Sequence, residues 1–116
     1  METAQRASEA IAEEVGSWPG VEIDRGELGE LAFKLGNREL GHVHGDRAAH
    51  FSFPRETWLE LRGEGRIEPH PVFPDKRGPA ARRIETQADV DDVIELFRLK
   101  YDRVVARHGL PARSNT

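Results

Sequence analysis

The sequence predicts an α+β fold, and three observations carry that prediction. A helical spacing of small and apolar residues opens the chain, period-two alternation broken by two-residue turns occupies its middle, and a long amphipathic helical pattern closes it. With 116 residues, 37% of them hydrophobic and 33% charged, the chain has material for one modest core. A single domain is therefore expected over 1–109, followed by a polar, flexible tail over 110–116.

The first helix is expected from Thr3 to Val15, where Ala4, Ala7, Ile11 and Val15 recur at three- and four-residue spacing, with Gly16 as its left-handed terminator. Ser17-Trp18-Pro19-Gly20 is turn chemistry, and Trp18 is placed to fold back onto that helix. The stretch from there to Gly29 is expected to be irregular. Three strands follow as an antiparallel meander. Leu31, Phe33 and Leu35 alternate with polar or small residues, and Gly36-Asn37 forms a primed two-residue turn. That turn sets Phe33 beside Leu40, Leu31 beside His42, and Lys34 opposite Glu39. A second two-residue turn at Gly45-Asp46 would place His42 beside Ala49 and carry Phe51 and Phe53 onto the same apolar face.

Pro54 can open a short second helix of about ten residues, with Trp58, Leu59 and Leu61 as its stripe and Gly63 and Gly65 as its stop. Four prolines between Arg66 and Pro79 bar a regular helix and leave at best an edge strand around Val72 and Phe73. A fourth edge strand is expected over Ala80–Thr86. The last helix starts at a capping box formed by Thr86 and Asp89, and Val90, Ile94, Phe97, Tyr101 and Val104 keep helical spacing up to Gly109. Its roughly 22 residues, at ~1.5 Å each, cross the whole sheet and cover the apolar face.

Composition narrows function. The absence of cysteine removes disulfides, thiolate metal sites and cysteine nucleophiles together. A net charge of −4 argues against nucleic acid as a partner, and no apolar run reaches the length of a membrane span, so a cytoplasmic location is expected. Residues 1–53 carry ten acids and five bases, whereas 54–116 carry eleven acids and twelve bases with Lys76, Arg77, Arg82 and Arg83 close together, which leaves a local anion site open. None of Ser8, Ser17, Ser52 and Ser114 sits in a nucleophile motif, and there is no glycine-rich phosphate loop.

The most suggestive feature is His42-Val43-His44, since histidines at i and i+2 on a strand share a face and can share a ligand. With a two-residue second turn His50 pairs with Gly41 and faces the other side, so no metal is expected; three histidines converge only if that turn holds three residues. His42 is then a hydrogen-bonded histidine on the apolar face, His44 lies at the strand end near Arg47, and His70, between two prolines, is a loop residue. Arg82 and Arg83, in a basic cluster with Lys76 and Arg77, could seat a phosphate or carboxylate, or simply guard a strand edge. Asp89, Asp91, Asp92 and Glu95 complement the dipole of the last helix.

Glu39-Leu40-Gly41-His42-Val43-His44-Gly45-Asp46, Phe51-Ser52-Phe53-Pro54-Arg55, Gly65-Arg66-Ile67-Glu68-Pro69-His70 and Tyr101-Asp102-Arg103 together resemble the bacterial and fungal "luciferase domain" family over roughly residues 18–105. The resemblance implies a fold rather than a reaction, because the family's name does not establish light emission by its members. Members often carry an aromatic residue in the strand after the proline-rich segment, where this chain has Lys76-Arg77-Gly78-Pro79-Ala80-Ala81. The element order also resembles the YjbR-like group. Two functions stay open. A non-catalytic binding or interaction module is favoured; the alternative is an enzyme or small-anion-binding protein using His42 and His44, with Arg82 or Arg83 from the neighbouring strand. The expected partner is a small molecule or a protein, with a homodimer compatible and no cofactor anticipated.

Overall fold

The computed structural model describes residues 6–111. It is an α+β fold in which one antiparallel sheet is covered on one face by helices. The elements are α1 (Ala7–Gly16), β1 (Val21–Arg25), β2 (Leu31–Leu35), β3 (Arg38–His44), β4 (Ala48–Ser52), α2 (Arg55–Gly63), β5 (Glu68–Pro69), β6 (Pro79–Arg83) and α3 (Gln87–His108). The six strands lie in the order β1-β2-β3-β4-β6-β5. No helix among the described residues is long and apolar enough to cross a membrane.

The core forms where the alternation of the strands meets α3. Leu31, Phe33, Leu35, Leu40, Val43, Phe51 and Phe53 are buried with Val90, Val93, Leu96, Phe97 and Tyr101 of that helix. Phe97 stands edge-on to Phe33 and Phe51, at ring separations of 4.9 and 4.7 Å. It reaches them over Gly41, where any Cβ would come within 3.0 Å of the Phe97 ring and 2.9 Å of the His50 carbonyl. Burying each such ring stabilises by about 1.5–3 kcal/mol. The start of α3 is fixed by the expected capping box, with Thr86 Oγ1 accepting from the Asp89 N–H and the Asp89 carboxylate accepting from the Thr86 N–H. Trp18 does fold back, its indole donating to Glu14 and its ring packing 5.3 Å from Tyr101, whose hydroxyl donates to the Pro19 carbonyl.

Several expectations are corrected. Residues 21–25 are a strand, not irregular: Val21 and Ile23 alternate with Glu22 and Asp24, and Asp24 pairs with Lys34 at 2.8 Å. Gly16 is the last helical residue rather than a left-handed terminator, and its lack of a side chain admits Ile23, whose Cδ1 would lie 2.9 Å from a Cβ. Val72 and Phe73 are exposed in the turns that follow; the edge strand is Glu68–Pro69, an outermost position where a residue without an N–H is tolerated. That pairing makes β6 internal, flanked by β4 and β5, rather than an edge. Leu59 lies outside the buried stripe of α2, which is Trp58 and Leu61. Residues 3–5 of the expected first helix and 112–116 of the expected tail lie outside the described residues.

Two one-residue corrections matter most. Gly36-Asn37 turns as expected and Lys34 does oppose Glu39, but a bulge follows, so that Phe33 pairs with Gly41, Ala32 with His42 and Leu31 with Val43. The next turn holds three residues, Gly45-Asp46-Arg47, with Gly45 left-handed at φ 56°. It is pinned to the start of α1, where the Asp46 carboxylate accepts from the Ser8 N–H and hydroxyl at 2.9 and 2.7 Å. A strand exchanges its faces with every single-residue slip. The bulge therefore lifts His42 off the apolar face, and the longer turn brings His50 round to meet it.

A histidine cluster on the open face of the sheet

The face turned away from α3 carries a row of directly paired positions: Ala32, His42, His50, Ala81 and Glu68. The next row is His44, Ala48 and Arg83. Alanines beside the imidazoles keep the surface low around them. The His42 and His50 rings are 5.2 Å apart, His44 lies 4.8 and 4.6 Å from them, and His70 packs 4.3 Å from His50 with its ring tilted by 53°. One ligand nitrogen each of His42, His44 and His50 can lie within 4.8 Å of the others.

The hydrogen bonds order these rings. Glu39 Oε2 sits 2.9 Å from His42 Nδ1, which gives that nitrogen the proton and leaves Nε2 with its lone pair directed at His50 Nδ1, 3.3 Å away. His70 Nδ1 accepts from the Val72 N–H at 3.1 Å, so a residue expected in a free loop is oriented against the cluster. Burial, followed by the fields of His70, His44 and His42, pushes His50 down to about 4, and burial with His42 lowers His44. Both are neutral at pH 7. Glu30, whose charge opposes that lowering at His44, keeps its Oε2 buried without a hydrogen-bond partner among the described residues.

A cleft of about 530 Å³ adjoins His50 and is bounded by Arg47, Glu68, Pro71, Arg83 and Ile84. Of the expected site residues, His42, His44 and Arg83 share this face. Arg82 does not. It is on the helix side of β6, opposite Ala49, where its guanidinium donates to Asp89 and Asp92 at 2.9 and 3.2 Å. Arg66 completes that network on Asp92 at 2.7 Å, which ties two of the acids at the start of α3 into structural ion pairs.

The family model described as the luciferase domain matches residues 37–100, which contain Glu39 and all four clustered histidines. The chain belongs to the luciferase-domain family. No curated protein and no solved structure shows a significant match to it. Within this luciferase domain, His50 joins the face from which a two-residue turn would have kept it, His70 is a cluster member rather than a free loop residue, and Glu39 is the partner of His42 that the sequence reading did not single out. Their signal was the spacing from His42-Val43-His44 to His50, legible only with a three-residue turn.

Proposed function

We propose that this luciferase domain binds one divalent transition metal ion through His42, His44 and His50, and presents it to a small molecule held in the cleft between His50 and Arg83. The observation that carries the reading is the convergence of the three imidazoles on one face with Glu39 holding the first of them. For tetrahedral coordination with bonds of about 2.0–2.1 Å, neighbouring ligand nitrogens stand about 3.3 Å apart. The separation of His42 Nε2 from His50 Nδ1 is 3.3 Å. Glu39 supplies the carboxylate that fixes the orientation of a ligating ring.

Three neutral ligands leave the ion's full charge and an open position, which favours activation of a bound water or polarisation of a substrate oxygen. Arg83, exposed on the same face, suits a carboxylate or similar anionic group on the substrate. The sequence favoured an interaction module because no acid/base constellation was visible in it; the imidazole cluster beside a cleft supports the small-molecule alternative instead.

Metal titration of chelator-stripped protein tests the proposal. Zinc and cobalt should each bind at one ion per chain, cobalt with the visible absorption of a four-coordinate site. The triple variant His42→Ala/His44→Ala/His50→Ala should lose at least about 100-fold in affinity, Glu39→Gln about 10–100-fold, and His70→Ala little. Binding well below one ion per chain, or an unchanged triple variant, refutes the proposal.

A further inference from the structure

A second concavity, of about 560 Å³, lies at the other end of β3, where the Gly36-Asn37 hairpin meets the last turns of α3. Arg38, Lys100, Arg103, Arg107 and His108 line it, and its one acid among the described residues is Glu39, already hydrogen-bonded to His42. The cations come from two elements. Lys100, Arg103 and Arg107 follow one another at helical spacing on one face of α3, and Arg38 enters from β3. Cations in the last turn of a helix complement its dipole, which accounts for Arg107 and His108. It does not account for Lys100, Arg103 or Arg38, which lie outside that turn.

Among the described residues, no hydrogen bond or ion pair engages the side chains of Arg38, Arg103 or Arg107. Lys100 is anchored: its ammonium donates to the Ser52 carbonyl and lies 5.9 Å from the centre of the Phe53 ring. Burial, with Arg103 beside it, lowers the pKa of that ammonium. Three permanently charged guanidiniums thus line a concave site beside the Lys100 ammonium, and the one carboxylate there among the described residues, Glu39, is engaged by His42, on a chain whose net charge is −4.

We infer that this groove binds a small molecule carrying two or more phosphate groups, held by the cations of β3 and α3 and bordering the histidine cluster at Glu39. Guanidinium forks match phosphate oxygens two at a time, and the volume falls within the roughly 300–1,000 Å³ typical of small-ligand sites. An extended nucleic acid would need basic surface beyond the groove, which the acidic balance of the chain does not offer.

Calorimetric titration of the full chain with pyrophosphate, in a chelator and at physiological ionic strength, tests this. Saturable one-to-one binding is expected. It should weaken at least tenfold in Arg103→Ala/Arg107→Ala and in Arg38→Ala, which change exposed residues on different elements and should leave circular dichroism unaltered. The variant His44→Ala/His50→Ala, which keeps His42 on Glu39, should bind within twofold of the parent, which separates phosphate binding from metal binding. No saturable binding, equal binding of citrate, or undiminished affinity in folded arginine variants would overturn the assignment.

Discussion

Gly41→Ala probes the contact on which both the core and the histidine pair depend. The backbone at Gly41 is outside the left-handed region, so alanine is conformationally acceptable there and by itself should stabilise by about 0.4–1 kcal/mol through the unfolded chain. Packing opposes this. The new methyl would stand 2.9 Å from the His50 carbonyl oxygen, 2.9 Å from Phe51 Cδ1 and 3.0 Å from Phe97 Cε1. Two of these neighbours are rings wedged in the core, and the third is the backbone of the partner strand, so none can swing aside cheaply. Overpacking of this kind costs about 1–3 kcal/mol, and the backbone contact places the change in the upper part of that range. The net expectation is a loss of about 1.5 kcal/mol, or ~6 °C in melting temperature for a domain of this size. Because relief requires β4 to move away from β3, the separation of His42 from His50 should widen and zinc affinity should fall with stability. Thermal melts with and without zinc read both effects. A variant as stable as the parent would show that Phe97 does not pack over Gly41 as described.

Two further perturbations address the supports of this arrangement. Asp46→Ala removes the carboxylate that caps α1 from the neighbouring turn and should cost about 1 kcal/mol in urea unfolding, as loss of an N-cap does; no change in midpoint would mean that the Ser8 contact is not formed in solution. Asp89 accepts from the backbone N–H groups of Glu85 and Thr86 and from Arg82, which hold its carboxyl below the usual range. A carboxyl depressed in the folded state contributes stability above its unfolded pKa, near 3.8, and loses it as pH falls through the lower folded value. The parent should therefore lose more stability between pH 6 and pH 3 than Asp89→Ala, and equal losses would remove Asp89 from the account.

The elements that sequence reading recovered are those whose signals are local. A capping box, a 22-residue amphipathic helix, a Gly-Asn hairpin and a proline-led short helix each declare themselves within a dozen residues. β1 was missed because its two apolar residues lie on an exposed outer strand, where Ile23 is still 37% accessible and alternation is the only clue. β5 was misplaced because Val72 and Phe73 are more strand-like than Glu68-Pro69; pairing with β6, a long-range matter, decided the outcome.

The histidine site shows a different limit. Every residue of the cluster could be read as a candidate from its type, and the condition under which His50 would join His42 and His44 could be stated, yet the site was assigned to the wrong face. A bulge at Leu40, opposite the Phe33–Lys34 step, and one additional turn residue each reverse a face, and neither has a compositional signature strong enough to register in a single sequence. What selects them is the core. With the bulge, Leu40 and Val43 are both fully buried, and with the longer turn Ala49 and Phe51 face inward. A two-residue turn after the same bulge would instead direct His50 inward and Ala49 and Phe51 outward. Exposing Phe51 alone forfeits about 1.5–3 kcal/mol of burial, and a neutral imidazole gains nothing comparable in exchange. The apolar demand of one face therefore determines the chemistry of the other: the histidines converge because Leu40, Val43 and Phe51 cannot be placed elsewhere.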